Sequence, residues 1–263
     1  MFPTIASALA TLLYCVSALL IYKQLGSAQH QRWIALAPAV AAVLLQALSL
    51  NHQIIQPQGL NLGLFPAFAL IAWLISIQVL LSSIYRRIES LGIIVFPITG
   101  LAGLAAGLDF SVHLISTGSS MIQSHIMISI IAYSLITLGV LQAGLLAYQD
   151  HSIRQHQPGG FIRFLPALHD MEILLFQFLA FGFLFLSASL VSGFIFMEDM
   201  FEQQQAHKVI FSIIAWIILG TLLFGRLMFG WRGQKAIRLT LVSFVFLMLA
   251  FFGSKLVYEF ILA

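Results

Sequence analysis

Residues 63–87 read GLFPAFALIAWLISIQVLLSSIYRR. No charged side chain interrupts the run from Gly63 to Tyr85, and Arg86 and Arg87 then stand side by side. A helix of that length, rising 1.5 Å per residue, reaches across a hydrocarbon core of roughly 30 Å. The arginine pair marks its cytoplasmic end, because Lys and Arg near span ends are retained on that side.

The same alternation repeats along the chain. Apolar runs occupy approximately 3–22, 33–51, 63–85, 91–108, 125–147, 172–197, 209–229 and 238–261. The sequence therefore predicts an all-α polytopic membrane helical bundle of about eight transmembrane helices. With 60% hydrophobic and only 8% charged residues, the chain lies far from soluble domains, whose charged share is about 25%. Its obligatory environment is a lipid bilayer.

Ten of the twelve Lys and Arg residues fall in the gaps after the first, third, fifth and seventh runs: Lys23, Arg32, Arg86, Arg87, Arg154, Arg163, Arg226, Arg232, Lys235 and Arg238. Only Lys208 and Lys255 lie on the other side. That asymmetry predicts both termini outside. The formal charge of +3 does not point to nucleic acid, since the cations are spread over four short loops without a basic patch. The start, Met1-Phe2-Pro3-Thr4, has no basic segment before its apolar run and reads as a retained first span. Cys15, the one cysteine, lies within that span as apolar filler and cannot form an intramolecular disulfide.

No composition shift or linker divides the sequence, so residues 1–263 read as a single integral membrane domain. The one longer connection, about 148–171, breaks at Pro158-Gly159-Gly160 and then mixes apolar and basic residues. It reads as an interfacial segment, with Arg163 reaching lipid headgroups. In the fourth run, Gly103 and Gly107, with Gly92, Gly100 and Pro97 nearby, let another helix approach closely. Gln46, Gln78, Gln142 and Gln177 are amides within apolar runs and should find partners across helices, because hydrocarbon offers none. Arg226 is placed to snorkel to the cytoplasmic headgroups.

The histidines divide by side. His30, His151, His156 and His169 fall in polar cytoplasmic loops, whereas His52, His113, His125 and His207 fall near the outer interface. A neutral imidazole there can ligate haem iron or another transition metal, or pass protons; equally, each can be an ordinary interfacial histidine with a wet tip. No H-x-x-x-H, H-E-x-x-H or Cys/His spacing fixes a metal within one helix, so any site is assembled from several helices. His125 opens a face through Ser129, Ala132 and Ile136, with Tyr133 about 12 Å deeper. That face suits either a flat apolar ligand or plain helix packing. Lys208 and Lys255 are the outward cations available to an anionic group, although Glu259 stands at i+4 from Lys255 as a structural partner. No G-x-S-x-G elbow, phosphate loop or paired intramembrane carboxylate is present, and no enzyme is expected.

Several segments resemble the cytochrome c assembly family of membrane proteins, the CcsA and HemX group, and within it the proteobacterial YpjD branch. They are Gln123-Ser124-His125 with Ala132-Tyr133, then Leu165-Pro166-Ala167-Leu168 with Met171-Glu172, and Ser192-Gly193-Phe194-Ile195-Phe196. His207-Lys208 with Trp216, Gly230-Trp231-Arg232-Gly233 and Phe252-Gly253-Ser254-Lys255 complete the set. The resemblance implies an inner-membrane protein of bacteria that binds or handles haem in cytochrome complex assembly, with haem and other cytochrome c maturation or membrane proteins as partners. It implies His125 as the axial ligand to haem iron, His207 or His52 as the second ligand, and Lys208 and Lys255 as cations for the haem propionates. The chain departs from the CcsA pattern in three places: the tryptophan-rich stretch ending W-D-P-K-E is replaced by Gln205-Ala206-His207-Lys208, an early transmembrane histidine by Gln46, and a later one by Arg226. Those departures leave open a structural or regulatory membrane partner without haem. A small-solute or proton transporter is the weakest alternative, since no span carries a central carboxylate.

Overall fold

The computed structural model describes residues 2–24, 31–56, 59–86, 88–108, 114–115, 120–155, 165–196 and 206–253. His30, His113, His156, Pro158-Gly159-Gly160, Arg163, Lys255 and Glu259 lie outside the described residues, as does the side chain of His207. Among the described residues, eight helices are long and apolar enough to cross a membrane. They are α1 (Phe2–Gln24), α2 (Arg32–Ile54), α3 (Leu64–Tyr85), α4 (Gly92–Leu108), α5 (Ser120–Arg154), α6 (Leu168–Phe196), α7 (Ala206–Phe229) and α8 (Gln234–Met248), the last running on into a π-helical turn, Leu249–Gly253. The all-α polytopic bundle is thereby established.

The largest departure from the expected spans is α5, whose 35 residues extend to about 52 Å at 1.5 Å per residue. Hydrophobicity locates only the part inside the hydrocarbon, whereas the helical ladder continues into the polar ends, where the Arg154 guanidinium bonds Asp150 one turn back at 3.1 Å. The chain also contains strand that hydropathy does not announce. β1 (Ile55–Gln56), β2 (Gly59–Asn61) and β3 (Leu114–Ile115) form a small antiparallel sheet, pairing Ile55 with Leu60 and Leu60 with Ile115. Gly59, at φ 146°, supplies backbone that L side chains rarely adopt.

The chain divides into two compact units. Unit 1 holds α1–α4 and the sheet. Its core is built where α4 lacks side chains: an added Cβ at Gly100 would meet Thr11, at Gly103 the Gln46 amide, and at Gly107 Ser7. Close approach makes short polar bonds possible, Thr11 Oγ1 to the Gly100 carbonyl at 2.8 Å and Ser7 to Ser49 at 2.7 Å. Gln46, 1% exposed, donates to the Thr99 carbonyl at 3.4 Å, so this amide ties helices together as anticipated.

Unit 2 holds α5–α8. Gly139 lies against Leu179 and Gly182 against Ile136, while Gln142 donates to the Met171 carbonyl at 3.2 Å. Gln177 instead lies exposed on α6. At one end of the unit, Asp150 accepts from Gln234 at 2.9 Å, and the buried Glu172 accepts the Gly233 N–H at 2.9 Å. The turn between α7 and α8 is specified by glycine. Gly230, at φ +64°, ends α7 in the left-handed conformation that suits a helix C-terminus. The Trp231 N–H then returns to the Gly225 carbonyl at 3.1 Å, and the missing Cβ of Gly225 lets the Trp231 indole lie directly on the helix. Arg226 does not snorkel freely. Its guanidinium lies 4.7 Å over the Phe176 ring and donates to the Trp231 carbonyl at 3.3 Å, because the folded-back turn brings that carbonyl within reach.

Candidate functional site

At the other end of unit 2, the second turn of α5 meets the C-terminal third of α6. His125 is half-buried there, with Nδ1 2.9 Å from Ser192 Oγ. Proton counting relates the direction of that bond to its neighbours. A serine hydroxyl carries one proton and a carbonyl oxygen only accepts. Ser192 Oγ also lies 2.9 Å from the Ser189 carbonyl; with the Ser192 proton on that carbonyl, Oγ accepts from His125 and Nδ1 carries the proton. With the Ser129 proton on the His125 carbonyl at 2.7 Å, Ser189 donates in the 2.7 Å contact between the two hydroxyls.

The four bonds close a ring: His125 to Ser192, Ser192 to Ser189, Ser189 to Ser129, Ser129 to His125. Two helices are joined by it. In a neutral imidazole with Nδ1 protonated, the lone pair lies on Nε2. This is the arrangement by which an outer partner normally orients a ligating histidine.

The face below His125 does not form an open groove. Ala132 and Ile136 are fully buried, and Ile136 fits against Gly182 of α6, so the deeper part of this face serves helix packing. Tyr133 turns toward α8, donating its hydroxyl to the Leu247 carbonyl and setting its ring 5.1 Å from that of Phe251. The π-helical turn at Leu249–Gly253 begins beside this bond; a side chain inserted into the backbone ladder is a known cause of such irregularity.

Of the other candidates, Lys208 is half-buried in the first turn of α7, and His207 precedes it in the same turn. Lys255 is outside the described residues. His52 belongs to unit 1, exposed in the last turn of α2, where its carbonyl accepts from Gln56 at 3.1 Å. Among the described residues, no group of three or more His, Cys, Asp or Glu side chains gathers as a metal cluster. The donor set around His125 fits a single axial nitrogen. Sequence reading missed Ser189 and gave Ser192 only as part of a family-like segment, with no role at the site; their signal is the i, i+3 hydroxyl pair, matching the i, i+4 pair of His125 and Ser129.

Segments that resemble the assembly family in sequence meet in space within unit 2. His125 bonds Ser192, and Glu172 bonds Gly233. Residues 33–262 match the family model described as cytochrome C assembly protein. The inner membrane protein YpjD of Escherichia coli (strain K12) is 29% identical over 260 residues, covering 96% of this chain and 97% of its own. A 28.8 kDa protein of Azospirillum brasilense is 29% identical over 143 residues, 54% of this chain and 53% of its own. The cytochrome c biogenesis protein CcsA of Chlamydomonas reinhardtii is 22% identical over 143 residues, 54% of this chain and 39% of its own. No solved structure matches significantly. With eight helices able to cross a bilayer and a relative of full length in the inner membrane, this is a multi-pass inner-membrane protein. The family match covers most of the sequence and supports a role in cytochrome c biogenesis: the chain belongs to the cytochrome c assembly protein family.

Proposed function

We propose that the protein binds or handles haem during cytochrome c assembly, without catalysing a reaction, and that His125 offers Nε2 as an axial ligand. The hydrogen-bonded ring, in which Nδ1–H donates to Ser192 and Nε2 has no partner among the described residues, carries this reading. His207, in the same unit, is the candidate for a second ligand, and Lys208 and Lys255 are the cations for the propionates, which form strong charge-assisted hydrogen bonds. In this reading both termini and the His125 end face outward, supported by the ten cations in the alternate loops.

The test is an absorption spectrum of the purified protein after haem loading. A Soret band is expected, weakened or shifted in His125→Ala. Its absence from the wild type, or an unchanged band in the variant, refutes the proposal.

A further inference from the structure

Four cations, Arg226, Arg232, Lys235 and Arg238, crowd the turn between α7 and α8. None makes an ion pair among the described residues; Asp170 lies exposed in the first turn of α6, and two other carboxylates of that end are engaged. Asp150 is bonded to Arg154 and Gln234, and Glu172 to the Gly233 N–H. Among the described residues, the four cations therefore have no carboxylate partner.

Its arrangement is more specific than a row of solvated side chains. Trp231 gathers two of the cations: Arg226 donates to its carbonyl at 3.3 Å, and Lys235 Nζ lies 5.5 Å from its ring centroid. The Arg226 guanidinium, 4.7 Å over the Phe176 ring, spends one of its five N–H donors on Trp231. Next to them, Phe224 and Phe229 are 55% and 69% exposed with ring centroids 6.3 Å apart, and the Phe229 ring stacks on Trp231 with centroids 6.2 Å apart. A ligand that fits both parts is anionic at one end and hydrocarbon at the other.

We propose that the α7–α8 turn binds the phosphate headgroup of an anionic phospholipid, gripped by Arg226 and Lys235 around Trp231, with an acyl chain along Phe229 and Phe224. Basic sites at helix ends recognise such headgroups, each nearby cation raising affinity roughly fivefold. A soluble anion would use the cations alone and leave the apolar surface idle.

The experiment uses the full chain in vesicles of phosphatidylcholine containing phosphatidylglycerol, with bromine on the acyl chains of one lipid or the other. Quenching of Trp231 is taken as the difference between wild type and Trp231→Phe. Brominated phosphatidylglycerol is expected to quench Trp231 several-fold more than brominated phosphatidylcholine at equal content. Arg232→Gln combined with Lys235→Gln changes only exposed side chains and should bring the two lipids close to parity; Arg226→Gln should do the same if it folds. Equal quenching by both lipids in the wild type, or an undiminished preference in the double variant, overturns the assignment. Inorganic phosphate at matched concentration should leave the preference intact, and its loss there would make free phosphate the ligand instead.

Discussion

Replacing Ser192 with alanine removes the acceptor that holds the Nδ1 proton of His125, and the effect can be worked from the ring itself. One 2.9 Å hydrogen bond is lost. Such a bond contributes about 0.5–1.5 kcal/mol net, so at about 1.4 kcal/mol per factor of ten the population of the Nδ1–H tautomer should fall roughly 2- to 12-fold relative to the Nε2–H form. The assay is ¹⁵N NMR of ring-labelled histidine in detergent-solubilised protein, with the His125 signals assigned by their loss in His125→Gln. Wild-type His125 should show a protonated Nδ1 and a bare Nε2. Ser192→Ala should show exchange averaging toward the other tautomer, and Ser192→Thr, which keeps the hydroxyl, should restore the original shifts. A wild-type signal with the proton on Nε2 refutes the proton counting. That outcome is separable from the haem question, since the measurement needs no haem.

The remaining predictions concern packing and orientation. Gly225→Ala drives a methyl group into the Trp231 indole; overpacking of this kind costs about 1–3 kcal/mol, so thermal unfolding should occur at a lower temperature and tryptophan emission should shift to the red as the ring is displaced. Alkaline phosphatase fused after residue 263 should be active and a fluorescent protein fused there dark, as an outward C-terminus requires; the opposite pattern contradicts the charge reading.

What the sequence makes legible follows from how strongly the bilayer constrains each feature. Hydrocarbon forces unbroken apolar runs, so the eight helices are visible in hydropathy, and α3 ends at Tyr85 just before the arginine pair. Beyond the hydrocarbon that constraint vanishes. The polar ends of α5 and the two- and three-residue strands carry no periodicity from which to read them. Small residues sit between these limits: Gly103 announces a close approach but not that the Gln46 amide fills the space. The candidate site was half legible. His125 stands out by its depth and residue type, whereas Ser189 and Ser192 acquire meaning only when α6 is laid against α5, because a serine in an apolar helix ordinarily satisfies its own backbone.

The serine ring also bears on proton traffic. A hopping relay requires every member to receive a proton on one side and release one on the other, and to reset by turning round. Two acceptors in this ring are the carbonyls of His125 and Ser189, which never donate. The path is therefore broken at two backbone carbonyls, and no proton can hop from residue to residue around the ring. It works as a latch on the imidazole rather than a wire through the membrane.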